Sequence, residues 1–175
     1  MISTTKSVLP IPPAMIESYR NNLDTITNLL CNWLNDCGLI SSGIIHENIS
    51  KRMMNSQLKR LFKHKTDVFI VVYVGMSTLD GSWLFKDGVL NLNDVLQMME
   101  ETSPGSQLCV LVDTPNTEPI LKKLHQLDGR VIIQTKRRDE NLELGNETNG
   151  KFLIEWLRWN SKNRREPKDW LSSIR

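Results

Sequence analysis

The chain is expected to fold as an α/β protein: a three-layer α/β/α sandwich with a mostly parallel sheet and a β-hairpin after the third strand. Three observations carry this expectation. Asp67 to Gly75, Asp-Val-Phe-Ile-Val-Val-Tyr-Val-Gly, is an unbroken apolar run rich in β-branched and aromatic residues, around which the other elements are arranged. Leu108-Cys-Val-Leu-Val-Asp113 is a second run of the same kind. Such runs, too short for a membrane span and too continuous for a one-sided strand, read as strands buried on both faces. Segments with helical period alternate with them, which implies helices on both faces of the sheet and right-handed crossovers.

Composition sets the outer bounds. At 175 residues, with 39% hydrophobic and 24% charged residues, the chain is long and apolar enough for one packed core. One domain over 1–160 and a basic tail over 161–175 are expected. The net charge of +2 makes no general case for a nucleic-acid binder, so a local patch must carry any such role. No run reaches the length of a transmembrane helix, and the first residues lack the apolar core of a signal peptide, so a cytoplasmic location is expected. Cys31, Cys37 and Cys109 show no C-x-x-C and no zinc spacing with His46, His64 or His125, and read as reduced structural thiols. Asn48-Ile-Ser50 and Asn146-Glu-Thr148 are glycosylation tripeptides that matter only in a secretory lumen.

Taken in order, Lys6 to Ile11 is a strand candidate that Pro10 keeps off a central position, and Pro12-Pro13 ends it. From Ile16 the spacing Ile16, Tyr19, Leu23, Ile26, Leu30, Trp33, Cys37 predicts one apolar helix face, closed by Gly38. Gly43 to His46 reads as a short strand. Ser50 caps a second helix with Met53, Met54, Leu58, Leu61 and Phe62 on one face. The Asp67–Gly75 strand comes next, then Ser82 to Phe85, Lys86-Asp87-Gly88 and Val89-Leu90, a tight hairpin. Asn91 or Asn93 caps a helix with Leu92, Val95, Leu96 and Met99 inward, and Ser103-Pro-Gly-Ser106 breaks it before the second buried strand. Thr117-Glu-Pro119 starts a helix with Ile120, Leu121, Leu124 and Leu127 inward. Arg130 to Thr135 is a fifth strand and Lys136 to Gly150 a charged exposed loop. Phe152, Leu153, Trp156, Leu157 and Trp159 mark a final helix.

This order of elements resembles the caspase-like (clan CD) cysteine peptidase fold. The residues carrying the likeness are Asp67 to Gly75, Thr78-Leu-Asp-Gly-Ser-Trp83, Asp87-Gly88 and Leu108 to Asp113, with Asn149-Gly-Lys-Phe-Leu-Ile154 similar to the family's lead-in to its late helix. The resemblance spans Tyr19 to Trp159. It places the family's histidine at Met76 and its cysteine at Pro115. That chemistry needs a thiolate with an imidazole in reach. Methionine has no titratable proton, and proline has neither thiol nor N–H. The resemblance therefore implies a pseudopeptidase. The long cleavable linker between the fourth and fifth strands, the arginine-bearing segment after the first strand and the sixth strand used for dimerisation are all missing from the pattern.

Function is thus expected to be non-catalytic: a protein-interaction or regulatory scaffold, with no cofactor and no small-molecule substrate. Candidate contact residues are Gly75, Met76, Ser77 and Thr78, then Thr114, Pro115 and Asn116, and the basic loop Lys136, Arg137 and Arg138. Cys109, inside its strand, reads as an inert core thiol, and His46 as a strand-end surface residue. A first alternative is a metal-dependent hydrolase or ligand-binding domain in which Asp80, Asp87 and Asp113 hold Mg²⁺ at strand ends. A second is nucleic-acid or anionic-membrane binding through Lys136 to Arg138 and the tail residues Arg158, Lys162, Arg164, Arg165 and Lys168, interleaved with Trp156, Trp159 and Trp170.

Overall fold

A computed structural model describes residues 13–37, 49–114, 119, 131–135 and 150–163. Within them the chain is mixed α/β, with four helices, a parallel sheet and a two-stranded hairpin. The sheet contains β1 (Val68–Val74), β4 (Gln107–Asp113) and β5 (Val131–Thr135), in the order β1-β4-β5. Both pairings are parallel, from Val68 opposite Gln107 to Val74 opposite Asp113, and from Leu108 opposite Val131 to Val112 opposite Thr135. The hairpin pairs β2 (Trp83–Phe85) with β3 (Gly88–Leu90). Several expected features lie outside the described residues: the strands at Lys6–Ile11 and Gly43–His46, Gly38, the helix after Pro119, residues 136–149 of the charged loop, and the tail from residue 164. Pro119 itself is helical.

The core lies in two clusters, one on each face of the strands. Phe69, Val71 and Tyr73 of β1 and Leu108, Val110 and Val112 of β4 meet α2 (Lys51–Leu61), α3 (Leu92–Thr102) and the inner side of the hairpin. Cys109 and Leu111 of β4, with Ile70, Val72 and Val74 packed alongside, meet α1 (Pro13–Asp36) and α4 (Lys151–Lys162). Alternate residues of a strand project to opposite faces, so one strand serves both clusters. The centre of the described sheet is β4, with six of its seven residues buried, and not the Asp67–Gly75 run. In β1 burial alternates, because β4 is its partner on one side only among the described strands.

Helix ends obey local chemistry. Helix α1 begins at Pro13, three residues before the apolar pattern begins, because proline is pre-set for the first turn and has no N–H to satisfy there. Its Ile26, Trp33 and Leu34 are buried, and Leu30 and Cys37 half-buried; the side chains of Ile16 and Tyr19 lie outside the description. Ser50 caps α2, its hydroxyl accepting from the Met53 N–H at 3.1 Å. Asn91 caps α3, accepting from Asn93 N–H while the Asp94 carboxylate accepts from Asn91 N–H.

Two expectations about side chains are corrected. Met53 does not share the buried face of α2 and is 42% exposed. At about 100° per residue Met53 stands about 140° from the buried Leu58, beyond the edge of the face that Met54, Leu58 and Leu61 occupy. The final helix runs to Lys162 and turns Trp159 outward, 50% exposed. Trp156 turns in and meets Trp33 of α1 edge-on, with ring centroids 6.0 Å apart. That contact withdraws one of the tryptophans assigned to a basic and aromatic binding surface.

The α1–α4 contact also depends on Gly150. It sits buried at φ 81°, and a Cβ there would lie 2.6 Å from Ile26 Cδ1. Gly105 has a similar φ of 89° but open space around it. Gly105→Ala should therefore cost only the left-handed backbone penalty of about 1–2 kcal/mol, and Gly150→Ala clearly more. Urea unfolding of the two variants checks this; equal losses would mean that Ile26 moves aside freely.

Candidate functional site

In parallel α/β sheets, ligands gather beyond the carboxyl ends of the strands. Here those ends are Val74-Gly75 of β1 and Asp113-Thr114 of β4, joined by a hydrogen bond from Gly75 N–H to Asp113 O at 3.2 Å. Tyr73 sets the path of the chain beyond β1. Its ring is buried in stacked contact with Trp83, with centroids 4.6 Å apart and planes 9° from parallel. Its hydroxyl lies within donating distance of Met76 O (2.8 Å) and Leu84 O (3.1 Å). The chain after β1 is thereby bent back over the hairpin. Gly75 permits the bend: a Cβ there would stand 2.9 Å from the Tyr73 hydroxyl.

Beyond Gly75 the backbone meets the edge of the hairpin through one isolated bridge. Leu84 N–H donates to Met76 O at 3.0 Å, and Ser77 bridges Trp83. Ser77, Trp83 and Leu90 are buried on the inner side. Leu84 faces Val89 across the hairpin on the outer side. Met76, Leu84 and Val89 are therefore neighbours in one outward row, and all three are exposed, Met76 at 55%. Leu79 in the adjoining turn is 87% exposed.

The polar side chains of this region are engaged internally. Asp80 accepts from the Thr78 hydroxyl, from Ser82 N–H at 3.2 Å and from the Ser82 hydroxyl at 3.0 Å, which closes the Thr78–Ser82 turn. Asn91, the cap of α3, donates to Ser82 Oγ at 3.4 Å, tying the turn to the next helix. Asp87, in the hairpin turn, accepts from the Lys51 and Arg52 N–H groups at the start of α2. Those backbone donors hold its carboxyl below the ordinary 3.8. Asp80 and Asp87 thus serve a turn and a helix start. Among the described residues no group of three or more His, Cys, Asp or Glu side chains could hold a metal. Asp113 is buried at the end of β4, and Thr114 is buried with its hydroxyl lacking a partner among the described residues.

Of the expected contact residues, the structure gathers Gly75, Met76, Ser77, Thr78 and Thr114 at these strand ends. Pro115, Asn116, Lys136, Arg137, Arg138 and His46 lie outside the described residues. Cys109 is buried, and desolvation pushes its thiol up to about 12 from 9.0, which agrees with an inert core thiol. No helix among the described residues is long and apolar enough to cross a membrane. Sequence reading missed the Leu84–Val89 row and the role of Tyr73. The first was legible in Ser82 to Phe85, where a buried Trp83 puts Leu84 on the opposite face; the second needs the fold. In comparisons with family models, curated proteins and solved structures, nothing matches this chain.

This geometry makes two predictions. Tyr73→Phe keeps the stack on Trp83 but removes the single hydroxyl proton that Met76 O and Leu84 O share, and should destabilise the domain by about 1 kcal/mol in chemical unfolding. For Cys109, the folded thiol stays protonated above pH 9 while the unfolded one ionises. Its contribution is intact below about 9 and falls as pH rises towards about 12. The slope reaches about 1.4 kcal/mol per pH unit. Stability measured against pH should fall less steeply in that window for Cys109→Ala than for the natural chain.

Proposed function

We propose that this chain is a caspase-like α/β/α domain without the peptidase machinery, acting as a protein-interaction or regulatory scaffold. One observation carries the binding role. Where a sheet of this kind presents its chemistry, the chain presents an apolar row, Met76, Leu84 and Val89, with Leu79 beside it. Its polar neighbours Thr78, Asp80 and Ser82 are occupied with one another. Exposed apolar side chains grouped at one place mark contact surfaces, and methionine adapts to varied partners.

The caspase-like part of the proposal is supported by the element order α2, β1, hairpin, α3, β4, β5, α4, and by the two cores on opposite faces of the strands. Met76, at the position matching the family's histidine, is solvent-facing and lies just past the β1 terminus. On this reading the surface that would open onto a substrate in a peptidase is a docking surface for a protein.

Site-specific photo-crosslinking tests it. A benzoylphenylalanine at position 76 or 84 should trap one discrete protein partner. The same probe at Glu101, exposed on α3, should not, and Val89→Asp should abolish the adduct. Stoichiometric labelling of the chain by a thiol-directed peptide probe, or adducts indifferent to Val89→Asp, would sink the proposal.

A further inference from the structure

A second surface lies on α2 and is not used by the reading above. Residues 51–65 contain six Lys or Arg and no Asp or Glu. Leu58 and the nearby Phe62 hold the apolar side of the helix in the core, so its cationic side faces water. Beside it lies a shallow, solvent-open concavity of about 480 Å³ lined by Lys51, Arg52, Asn55, Ser56, Lys59 and Asp87. The N–H groups at the start of α2 are already taken by Ser50 and Asp87, so a ligand would meet side chains here.

The mixture of groups narrows the ligand. Three cations, Lys51, Arg52 and Lys59, outnumber one carboxylate and leave two positive charges, the complement of a phosphomonoester near neutral pH. Asp87 retains acceptor capacity beyond its two backbone bonds. Asn55 Oδ1 is out of solvent with no hydrogen-bond partner among the described residues. Its terminal torsion is broad, so the amide can turn towards the concavity. A bare polyanion is drawn by the cations but brings no donor to either acceptor. A ligand with hydroxyls beside its phosphate satisfies both kinds of group.

We propose that this concavity binds a phosphorylated polyol, with the phosphate on Lys51, Arg52 and Lys59 and ring hydroxyls donating to Asn55 and Asp87. A soluble sugar or inositol phosphate and the inositol phosphate headgroup of a lipid share this chemistry.

The test uses the whole chain. Calorimetric titration with myo-inositol 1-phosphate is compared with inorganic phosphate. Co-sedimentation uses phosphatidylcholine vesicles carrying phosphatidylinositol 4-phosphate or, at equal charge, phosphatidylserine. The inositol phosphate, free or in vesicles, should bind at least tenfold more tightly than its control. Binding of the free compound assigns a soluble ligand; binding only of the vesicles assigns the lipid headgroup. Arg52→Gln with Lys59→Gln, both exposed positions, should weaken binding tenfold or more with an unchanged unfolding transition. Asn55→Ala should reduce the preference over inorganic phosphate while leaving phosphate binding in place. No binding, equal affinity for the controls, tighter binding of an RNA oligonucleotide, or full affinity in the double variant overturns the proposal.

Discussion

Strand β4 has neighbours in the sheet on both edges and side chains packed on both faces, and Leu108 to Asp113 are all buried. Its peptide groups can be satisfied only by strands beside it, because no water reaches them. Its side chains can be buried only if helices cover both faces, since a parallel sheet open on one side would leave half of them wet. Ser106 and Gln107 show how the entry to β4 is secured: Ser106 donates its hydroxyl to Thr66 O at 2.8 Å and Gln107 its N–H to Asp67 O at 2.8 Å. Register at the start of the strand sets register at its end, where Gly75 meets Asp113.

From that fixed end the Tyr73 ring and hydroxyl determine the shape of the surface. The stack on Trp83 anchors the inner side of the hairpin in one core cluster. The same packing turns Leu84 and Val89 outward, because side chains alternate along a strand and Trp83 and Leu90 have the inner side. Exposure of the apolar row is thus a consequence of how the core is filled, and the hydrogen-bonded Thr78–Asp80–Ser82 turn holds it in place. Asp87 at the far turn of the hairpin does the same for α2, joining its first N–H groups to the sheet side of the molecule.

The elements with a strong local signature are legible in the residues. The run Val68–Val74, the Ser50 and Asn91 caps, the hairpin around Lys86-Asp87 and the parallel strand at Gln107–Asp113 all stand where pattern and capping chemistry place them. Sequence misleads where the pattern is ambiguous about direction. Met53 and Met54 are both apolar, yet Met53 stands farther round the helix from Leu58, and only Met54 packs on the core. Asp80 and Asp87 read from sequence as turn and cap residues, with metal ligands as the alternative, and the backbone N–H groups and hydroxyls that engage them belong to a turn and a helix start. The cation-rich, acid-free stretch 51–65 is in plain view, yet only its placement beside Asp87 and Asn55 makes a concavity of it.

By itself, then, the amino-acid order determined the described helices and strands, their caps and the placing of the two apolar runs in the core. Those depend on neighbours within a few positions, through hydrogen-bond capping and the periods of helix and strand. Tertiary structure alone decided that β4, and not β1, is the centre of the described sheet. It also decided that Tyr73 reaches two carbonyls past its own strand, and that Met76 joins Leu84 and Val89 in one surface. These juxtapose residues as far as 39 positions apart, as with Val74 and Asp113. Their proximity comes from parallel pairing and packing against a shared core, and no local propensity encodes it.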